Sequence, residues 1–352
     1  MAQQLHGNVP TKDLSIFCSQ MAMVLHSDIT IMEGVRILHE QTENRNLRNA
    51  LAEIHADMDK GIPFSQSFER FKNTVFPEYL TNMVALGEVS GTIDTVFSQM
   101  SDYYNKDNAI RSKVKAAVTY PLILTVLMLG IIVLLVVRIL PMFSDILNTM
   151  GGTMPVLTQV MMSFSAFLGH YLIPILAVIA AIVVFCVFYS KTGGGRMFFD
   201  HLKLALPFSS QIFTRIITAR FARCLAILIR SGVNLLSALE MMQTLIGNAY
   251  VEKRFQKTRE EIYEGKDLVD GLTETGIFPP LFLRLVAIGQ NAGFLDEMLF
   301  KASDIFDEEV QTSLERMTTF IEPVMIIILS IIVGVILLSV MLPMINIMNT
   351  IG

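Results

Sequence analysis

Three apolar stretches, each about 20 residues long, constrain this chain more than any other feature. They occupy residues 116–137, 171–189 and 319–341. A helix of that length crosses the hydrocarbon core of a bilayer, and inside lipid a helix is the form in which a lone segment satisfies all its backbone polar groups. Composition enters here in support. Of 352 residues, 52% are hydrophobic and only 17% charged, more apolar material than a soluble domain needs for its core.

The first and third stretches follow the same motif. Leu86-Gly87-Glu88-Val89-Ser90-Gly91-Thr92-Ile93-Asp94 is echoed by Ile288-Gly289-Gln290-Asn291-Ala292-Gly293-Phe294-Leu295-Asp296, with both glycines, the flanking aliphatics and the closing aspartate in place. Each copy follows a Phe-Pro pair (Phe76-Pro77, Phe278-Pro279). Each precedes a proline at the start of its apolar run (Pro121, Pro323), and each run ends at another proline (Pro141, Pro343). Upstream, Phe221 echoes Phe17, Ser231 echoes Ser27, Gly265 echoes Gly61 and Leu272 echoes Phe68, and two residues are lost before the second Phe-Pro pair. The chain reads as a duplicated unit.

Within the first unit the pattern is helical throughout. Leu14, Phe17, Cys18, Met21, Val24 and Leu25 recur at helical spacing and form one stripe. Asp28 marks a break, Thr30 an N-cap, and Asn44 or Asn46 the start of a third helix. Gly61-Ile62-Pro63 is a turn before a short helix over 64–71. Pro77 opens another that stops near Gly91. Thr92 then reads as an N-cap, with Asp94 in the positive first turn of a helix that runs on into the apolar stretch. No strand-like alternation of useful length is present. The expectation is an all-α integral membrane protein with two duplicated bundles of about six helices each and three transmembrane helices.

The expected boundaries are an N-terminal lead over 1–13, helical domain 1 over 14–115 and transmembrane helix 1 over 116–140. An external loop over 141–169, transmembrane helix 2 over 170–190, helical domain 2 over 191–318, transmembrane helix 3 over 319–342 and an external tail over 343–352 complete the chain. Pro174 falls in the first turn of the second span on this reading, and Gly193-Gly194-Gly195 behind it reads as a flexible hinge. Lys106, Arg111, Lys113 and Lys115 precede the first span, Lys191, Arg196 and Lys203 follow the second, and Arg316 precedes the third. The loop and tail carry no basic residue beyond Arg138, itself a boundary marker. By the positive-inside rule both helical domains are cytoplasmic and the loop and C-terminus lie outside. Two parallel repeats then require one return helix, which is the second span. The first thirty residues lack a basic-then-apolar start, so membrane entry is expected from the internal runs, not from a cleavable signal.

Several function classes find no residues. The chain has no phosphate-binding GxxxxGK[ST], no HExxH pair and no GxSxG serine. Its net charge of −5 and the lack of a basic tract with interleaved aromatics argue against nucleic acid. The three cysteines, Cys18, Cys186 and Cys224, have no metal spacing and read as reduced, buried small hydrophobes. No catalytic residue, metal or cofactor is expected.

The candidates that remain concern contact and hinge roles. Glu88 and Asp94 are the acidic candidates for a partner contact or a divalent cation; the alternative is a solvated helix face for Glu88 and a helix N-terminus for Asp94. Asp296 is retained in the second copy while Gln290 replaces Glu88, which argues against a symmetric ion site and points to different partners for the two copies. Gly87, Gly91, Gly289 and Gly293 fit close helix approach and a tight turn. Glu322, just before Pro323, either lies at the first turn of the apolar helix or pairs with a basic residue of a neighbouring subunit or partner. The spans carry few buried charges and no broken half-helices, so an oligomeric transporter or channel with regulatory bundles is the second reading.

These residues resemble the type II secretion system F family, the inner-membrane platform proteins of type IV pilus and type II secretion machines. The resemblance covers nearly the whole chain from Phe17. It rests on the duplicated Gly-Glu-x-Ser-Gly-x-Ile-Asp pattern, on Tyr120-Pro121 and Glu322-Pro323, and on Leu140-Pro141-Met142-Phe143 through Met150-Gly151-Gly152-Thr153-Met154-Pro155 with Thr158. It implies a non-enzymatic platform in the cytoplasmic membrane. The implied partners are a hexameric motor ATPase, prepilin or pseudopilin subunits, other cytoplasmic-membrane assembly proteins and further copies of itself, with no nucleic acid. Two parallel domains on stiff helices offer a physical route, since a motor that turns or rocks them displaces the helices in the bilayer.

Overall fold

A computed structural model describes residues 9–139, 141, 142, 145, 156–190, 192–242 and 246–351. The middle of the stretch expected to be external, including Gly151-Gly152 and Pro155, therefore lies outside the described residues, as does Lys191. The protein is all-α. Among the described residues, pairing of extended backbone is confined to one isolated bridge between Lys72 and Phe76.

The helices of the first repeat are α1 (Thr11–His26), α2 (Ile31–Gln41), α3 (Arg45–Met58), α4 (Phe64–Glu69), α5 (Glu78–Ser90) and α6 (Ile93–Leu134). A π turn, Leu135–Ile139, prolongs α6. Next come α7 (Val156–Ser190) and α8 (Gly193–Ala205). The second repeat then follows with α9 (Pro207–Arg230), α10 (Leu235–Met242), α11 (Ala249–Tyr263), α12 (Leu268–Glu274), α13 (Pro280–Ala292) and α14 (Leu295–Ile351). Helices α2 to α6 start at the positions that the repeat pairs with the starts of α10 to α14.

Local chemistry sets the ends. The Thr30 hydroxyl accepts from Glu33 N–H at the start of α2, and Asn44 Oδ1 accepts from Asn46 and Leu47 N–H at the start of α3. Asp28 breaks the chain with φ of 58°, a left-handed conformation that aspartate tolerates. Pro63 and Pro77 sit at the caps of α4 and α5, one residue before the first helical position, because the proline ring fixes φ without needing an N–H bond.

By compactness the chain divides into two units. One comprises the chain up to Lys113 together with Met197–Gln311; the other comprises Val114–Arg196 and Thr312–Gly352. The first unit has a continuous apolar core to which both repeats contribute. Around Phe17 are packed Phe68, Phe76 and Phe97, with ring centroids 6.4, 5.8 and 5.7 Å away. Around Phe221 are packed Phe255, Phe278 and Phe282, at 5.3, 4.8 and 6.0 Å. Truncating one of these rings would cost about 3–5 kcal/mol, and that is why the phenylalanine positions hold the bundle architecture.

The second unit inverts this pattern. Leu122, Val126 and Leu127 of α6, Leu176, Ile179 and Val183 of α7, and Ile327, Ile331 and Leu338 of α14 are all exposed. Three helices are long and apolar enough to cross a membrane, within Ile93–Ile139, Gln159–Ser190 and Leu295–Ser339. Ser165 of α7 donates to the carbonyl of Val136 in the π turn at 2.6 Å, giving that group a partner at a point where the α-helical ladder is interrupted.

Two expectations need correction. The helix expected over 170–190 begins at Val156, so residues 156–169 are helical and Pro174 lies inside α7, not in its first turn. Polar and small residues such as Gln159, Ser163 and Gly169 dilute hydropathy there, and hydropathy reports burial in lipid, not helical continuity. Gly193-Gly194-Gly195 forms the first turn of α8, not a loose hinge. A Cβ on Gly195 would run into the carbonyl oxygen of Tyr189, so this corner is closed and only glycine fits it. The residues expected as an external tail are helical as far as Ile351, where α14 ends.

Candidate functional site: the bundle-to-membrane joints and the contact between repeats

Each repeat hands over to its long helix through the same joint. Gly91 ends α5 with φ of 69°, and Gly293 ends α13 with φ of 76°, a left-handed cap that costs a side-chain-bearing residue about 1–2 kcal/mol. Beyond the cap, Thr92 N–H donates to the carbonyl of Gly87 at 2.9 Å and Phe294 N–H to that of Gly289 at 3.0 Å. These bonds close a Schellman turn. Gly87 and Gly289 serve a different purpose. A Cβ on Gly87 would come within 2.9 Å of Val96 Cγ2 and 3.1 Å of Ile93 Cα; one on Gly289 would come within 2.9 Å of Leu295 Cα and Met298 Cβ. The backbone of α5 or α13 thus rests directly on the first turn of the long helix. The joint is a stiff corner.

The acidic candidates separate on inspection. The Glu88 carboxylate accepts from Phe64 N–H at 3.0 Å, from Ser65 N–H at 2.9 Å and from the Ser65 hydroxyl. It caps α4 from outside, where Pro63 offers no side-chain acceptor. In the second repeat the residue matching Pro63 is Asp267, which caps α12 itself by accepting from Val269 N–H at 2.9 Å. Gln290 then donates to Asp267 Oδ1 at 2.6 Å. The side-chain bond from Gln290, helped by backbone N–H bonds and opposed by slight burial, holds the Asp267 carboxyl below the usual carboxylate range. The exchange of Glu88 for Gln290 follows the exchange of Pro63 for Asp267, and it needs no external partner.

Asp94 and Asp296 both lie in the first turns of their helices. Asp296 accepts from Arg230 Nε at 3.2 Å, and Arg230 lies over the ring of Phe300 at 4.4 Å. The first repeat has His26 at the position of Arg230, and its Nδ1 lies 3.0 Å from the carbonyl of Ala22 instead. Glu322 is exposed in the interior of α14, far from its N-terminus, so it is not in a first turn. Pro121 and Pro323 are likewise inside α6 and α14, Pro343 lies within α14, and Pro141 follows the π turn in a short helical piece. These prolines mark hydropathy boundaries, not helix ends. Among the described residues no group of three or more His, Cys, Asp or Glu side chains could hold a metal ion.

The contact between the repeats is the part sequence reasoning missed. Asp107 of α6 accepts from Arg111 Nε on its own helix at 2.7 Å and from Arg220 Nη2 of α9 at 2.6 Å. Burial pushes the Asp107 carboxyl up, but Arg220 and Arg111 outweigh it and hold the group below the usual range. Asp307 of α14 shows the reverse balance. It pairs with Arg223, yet burial prevails and raises its pKa. Tyr79, Tyr103 and Tyr104 pack edge to face at 5.4 and 5.0 Å, and burial lifts their phenols well above the ordinary value. Burial likewise raises the Cys18 thiol and pushes that of Cys224 up to about 12, so both stay protonated at neutral pH. Around this core Lys106 reaches Asp304, Lys113 reaches Gln311, and the Ser231 hydroxyl donates to Gln99 at 3.2 Å. The signal for this contact lay in Arg220 and Arg223, two charges beside the apolar stripe of Phe221, Cys224 and Leu225.

Comparison with known proteins identifies this arrangement. The family described as type II secretion system (T2SS), protein F, matches residues 17–141 and 221–343, segments that start at Phe17 and Phe221 and end at Pro141 and Pro343. The chain belongs to that family. It is 35% identical to the type IV pilus assembly protein PilC of Thermus thermophilus over 342 residues, covering 97% of this chain and 84% of that protein. It is 30% identical to the PilC of Myxococcus xanthus, covering 98% and 82%. To the type II secretion system protein F of Aeromonas hydrophila it is 29% identical, covering 97% and 88%. This T2SS F family member is therefore an integral membrane protein of the kind that serves pilus assembly and type II secretion.

Proposed function

We propose that this family member is a non-enzymatic platform in the cytoplasmic membrane that couples a hexameric motor ATPase to the insertion or extraction of pilin-like subunits. The observation that carries this reading is that α6 and α14 are single helices, Ile93–Leu134 and Leu295–Ile351, each joining a stiff glycine corner to a membrane-length apolar run. A helix transmits axial and rotational displacement along its length. Because both repeats share one core, a motor load on either moves the pair as one body. Basic residues beside the spans favour cytoplasmic bundles, with the loop over 141–169 and the C-terminus outside. Names of the relatives, pilus assembly and type II secretion, supply the class of cargo.

The decisive experiment is a Gly-Ser-Gly insertion after Lys113, which uncouples the bundle from the first span without touching either. Fibre assembly is expected to fail while the chain still reaches the membrane and still co-purifies with the motor ATPase. Assembly at full rate would overturn the coupling mechanism, and loss of co-purification from the unmodified chain would overturn the ATPase partner. Glu322 is assigned an ion pair with a basic residue of a neighbouring subunit or assembly partner. Glu322→Gln is expected to weaken assembly, and an unchanged fibre yield removes that role.

A further inference from the structure

Helix α8 carries its apolar row outward. Phe198 and Leu202, with Leu206 directly after the helix, recur every four residues on one face and are 56%, 37% and 49% exposed. A helix of a globular domain would turn such a row inward. Here the opposite face is locked in place. Asp200 is buried, and its carboxylate accepts from Ala249 N–H at 3.0 Å, at the start of α11. Asn248, which caps α11, donates to the carbonyl of Asp200 at 3.4 Å, and Leu204 packs against the core. Rotating α8 to hide Phe198 would strip the N-terminus of α11 of these bonds. The exposure is built into the fold.

Connectivity says what covers the row. Helix α8 begins three residues after Ser190, the last residue of the membrane-length helix α7, and three residues reach about 11 Å at most. The corner is tighter than that, since Thr192 N–H donates to the carbonyl of Tyr189 at 3.0 Å and Arg196 N–H to that of Thr192 at 2.8 Å. The apolar row therefore starts at the edge of a span. Beside it a cleft of about 500 Å³ runs from Met197 along α11 and is flanked by the exposed Lys253 and Lys257. The acids at its other end, Glu261 and Glu274, are bridged by Lys266 at 2.8 and 2.6 Å, and Lys257, 3.6 Å from Glu261, keeps its side chain 81% exposed. In the first repeat the positions of Lys253 and Lys257 hold Asn49 and Glu53, so the basic character belongs to the second repeat alone.

We infer that α8 is a membrane-surface helix, with Phe198, Leu202 and Leu206 seated among the lipids at the bilayer interface and Lys253 and Lys257 facing anionic headgroups. It moors the second repeat to the membrane independently of α14.

The test uses the full chain carrying Cys186→Ala, in which the buried Cys18 and Cys224 stay unlabelled. Single cysteines at positions 198, 202, 203 and 206 take a spin label after reconstitution into phosphatidylcholine vesicles with and without phosphatidylglycerol. Oxygen contact should exceed contact with a water-soluble nickel complex at 198, 202 and 206, and the order should reverse at 203, giving a helical period in depth. Phosphatidylglycerol should deepen the first three labels, and K253E with K257E should abolish that gain. Equal nickel access at all four positions would overturn the membrane assignment. So would strong spin–spin coupling between labels at 198, which would mean that a second copy covers the row. A depth that ignores lipid charge would overturn the anionic-lipid role of the two lysines.

Discussion

The two repeats start the same short helix by opposite means. At α4 the cap residue is Pro63, and the acceptor comes from Glu88, 24 residues on from the first bonded N–H, that of Phe64. At α12 the cap residue is Asp267, the acceptor is its own carboxylate, and Gln290 is reduced to supporting it. A second contrast lies on the outer faces. In the first repeat Arg70 reaches Asp57 and Glu53; at the matching positions the second repeat has Glu274, Glu261 and Lys257, and Lys266 bridges the two acids. The joints, by contrast, agree in both copies down to the bond that closes the turn. Duplication has kept the part that joins bundle to membrane and let the faces drift, and within one repeat a drifted residue is matched by a drifted partner.

The largest expected effect tests whether the repeats form one body. Arg220→Ala leaves Asp107, whose side chain is 8% exposed, buried and short of its cross-repeat partner. Removing one member of such a pair should destabilise the chain by about 3–5 kcal/mol. Denaturation in detergent, read by near-ultraviolet signal from the tyrosine cluster in this tryptophan-free protein, gives the value; a change under about 1 kcal/mol would mean that the repeats do not share their stability. The pH dependence has a definite sign. The Asp107 carboxyl is held low, so its contribution is present above the ordinary carboxylate pKa and is lost as pH falls through its lower folded value. Asp107→Asn should flatten the loss of stability below about pH 4. Asp307, held high by burial, contributes in the opposite sense: its share is present below the ordinary carboxylate value and fades as pH rises through its folded pKa.

Next in size are the corner glycines, where the copies are expected to agree. Gly87→Val and Gly289→Val each force a side chain against backbone and core atoms less than about 3.2 Å away, and overpacking of this kind costs about 1–3 kcal/mol. Equal losses would establish mechanical equivalence of the joints. A loss in one repeat only would show that the other relaxes.

The caps, where the repeats differ, come third. Glu88→Gln should cost about 0.5–2 kcal/mol, the usual worth of an N-cap. Adding Pro63→Asp rebuilds the second repeat's solution inside the first and should return most of that loss. If Glu88→Gln is silent in stability but impairs assembly, the residue serves a partner and the capping account fails.

Much of this was legible in the sequence, and the reason is locality. Thr30, Asn44, Gly91 and Gly293 act on groups within a few residues of themselves, so their roles can be read from neighbours alone. The three spans are legible because lipid demands length and apolarity at once. The start of α7 at Val156 was not, since Gln159, Ser163 and Gly169 dilute the hydropathy of its first turns without ending the helix. Nor was the capping role of Glu88, which depends on α5 lying across the start of α4, or the pairing of Asp107 with Arg220, which joins residues 113 positions apart. Spacing on one helix reports its faces and not which distant helix will meet them.

The smallest expected effect bears on what holds the repeats together. Lys106 and Asp304 form an ion pair across the repeats, but their side chains are 47% and 61% exposed. Water screens such a pair, and holding two long side chains in one geometry costs entropy, so its coupling should be about 0.2–1 kcal/mol and should fade with added salt. A double-mutant cycle on Lys106→Ala and Asp304→Ala measures it directly. Set beside Arg220→Ala, the result locates the cohesion. A small coupling assigns it to the buried tyrosines, thiols and the Asp107–Arg220 pair, none of which salt can loosen. A coupling above about 2 kcal/mol would instead make the repeat contact a surface lock, open to ionic strength and to a competing charged partner.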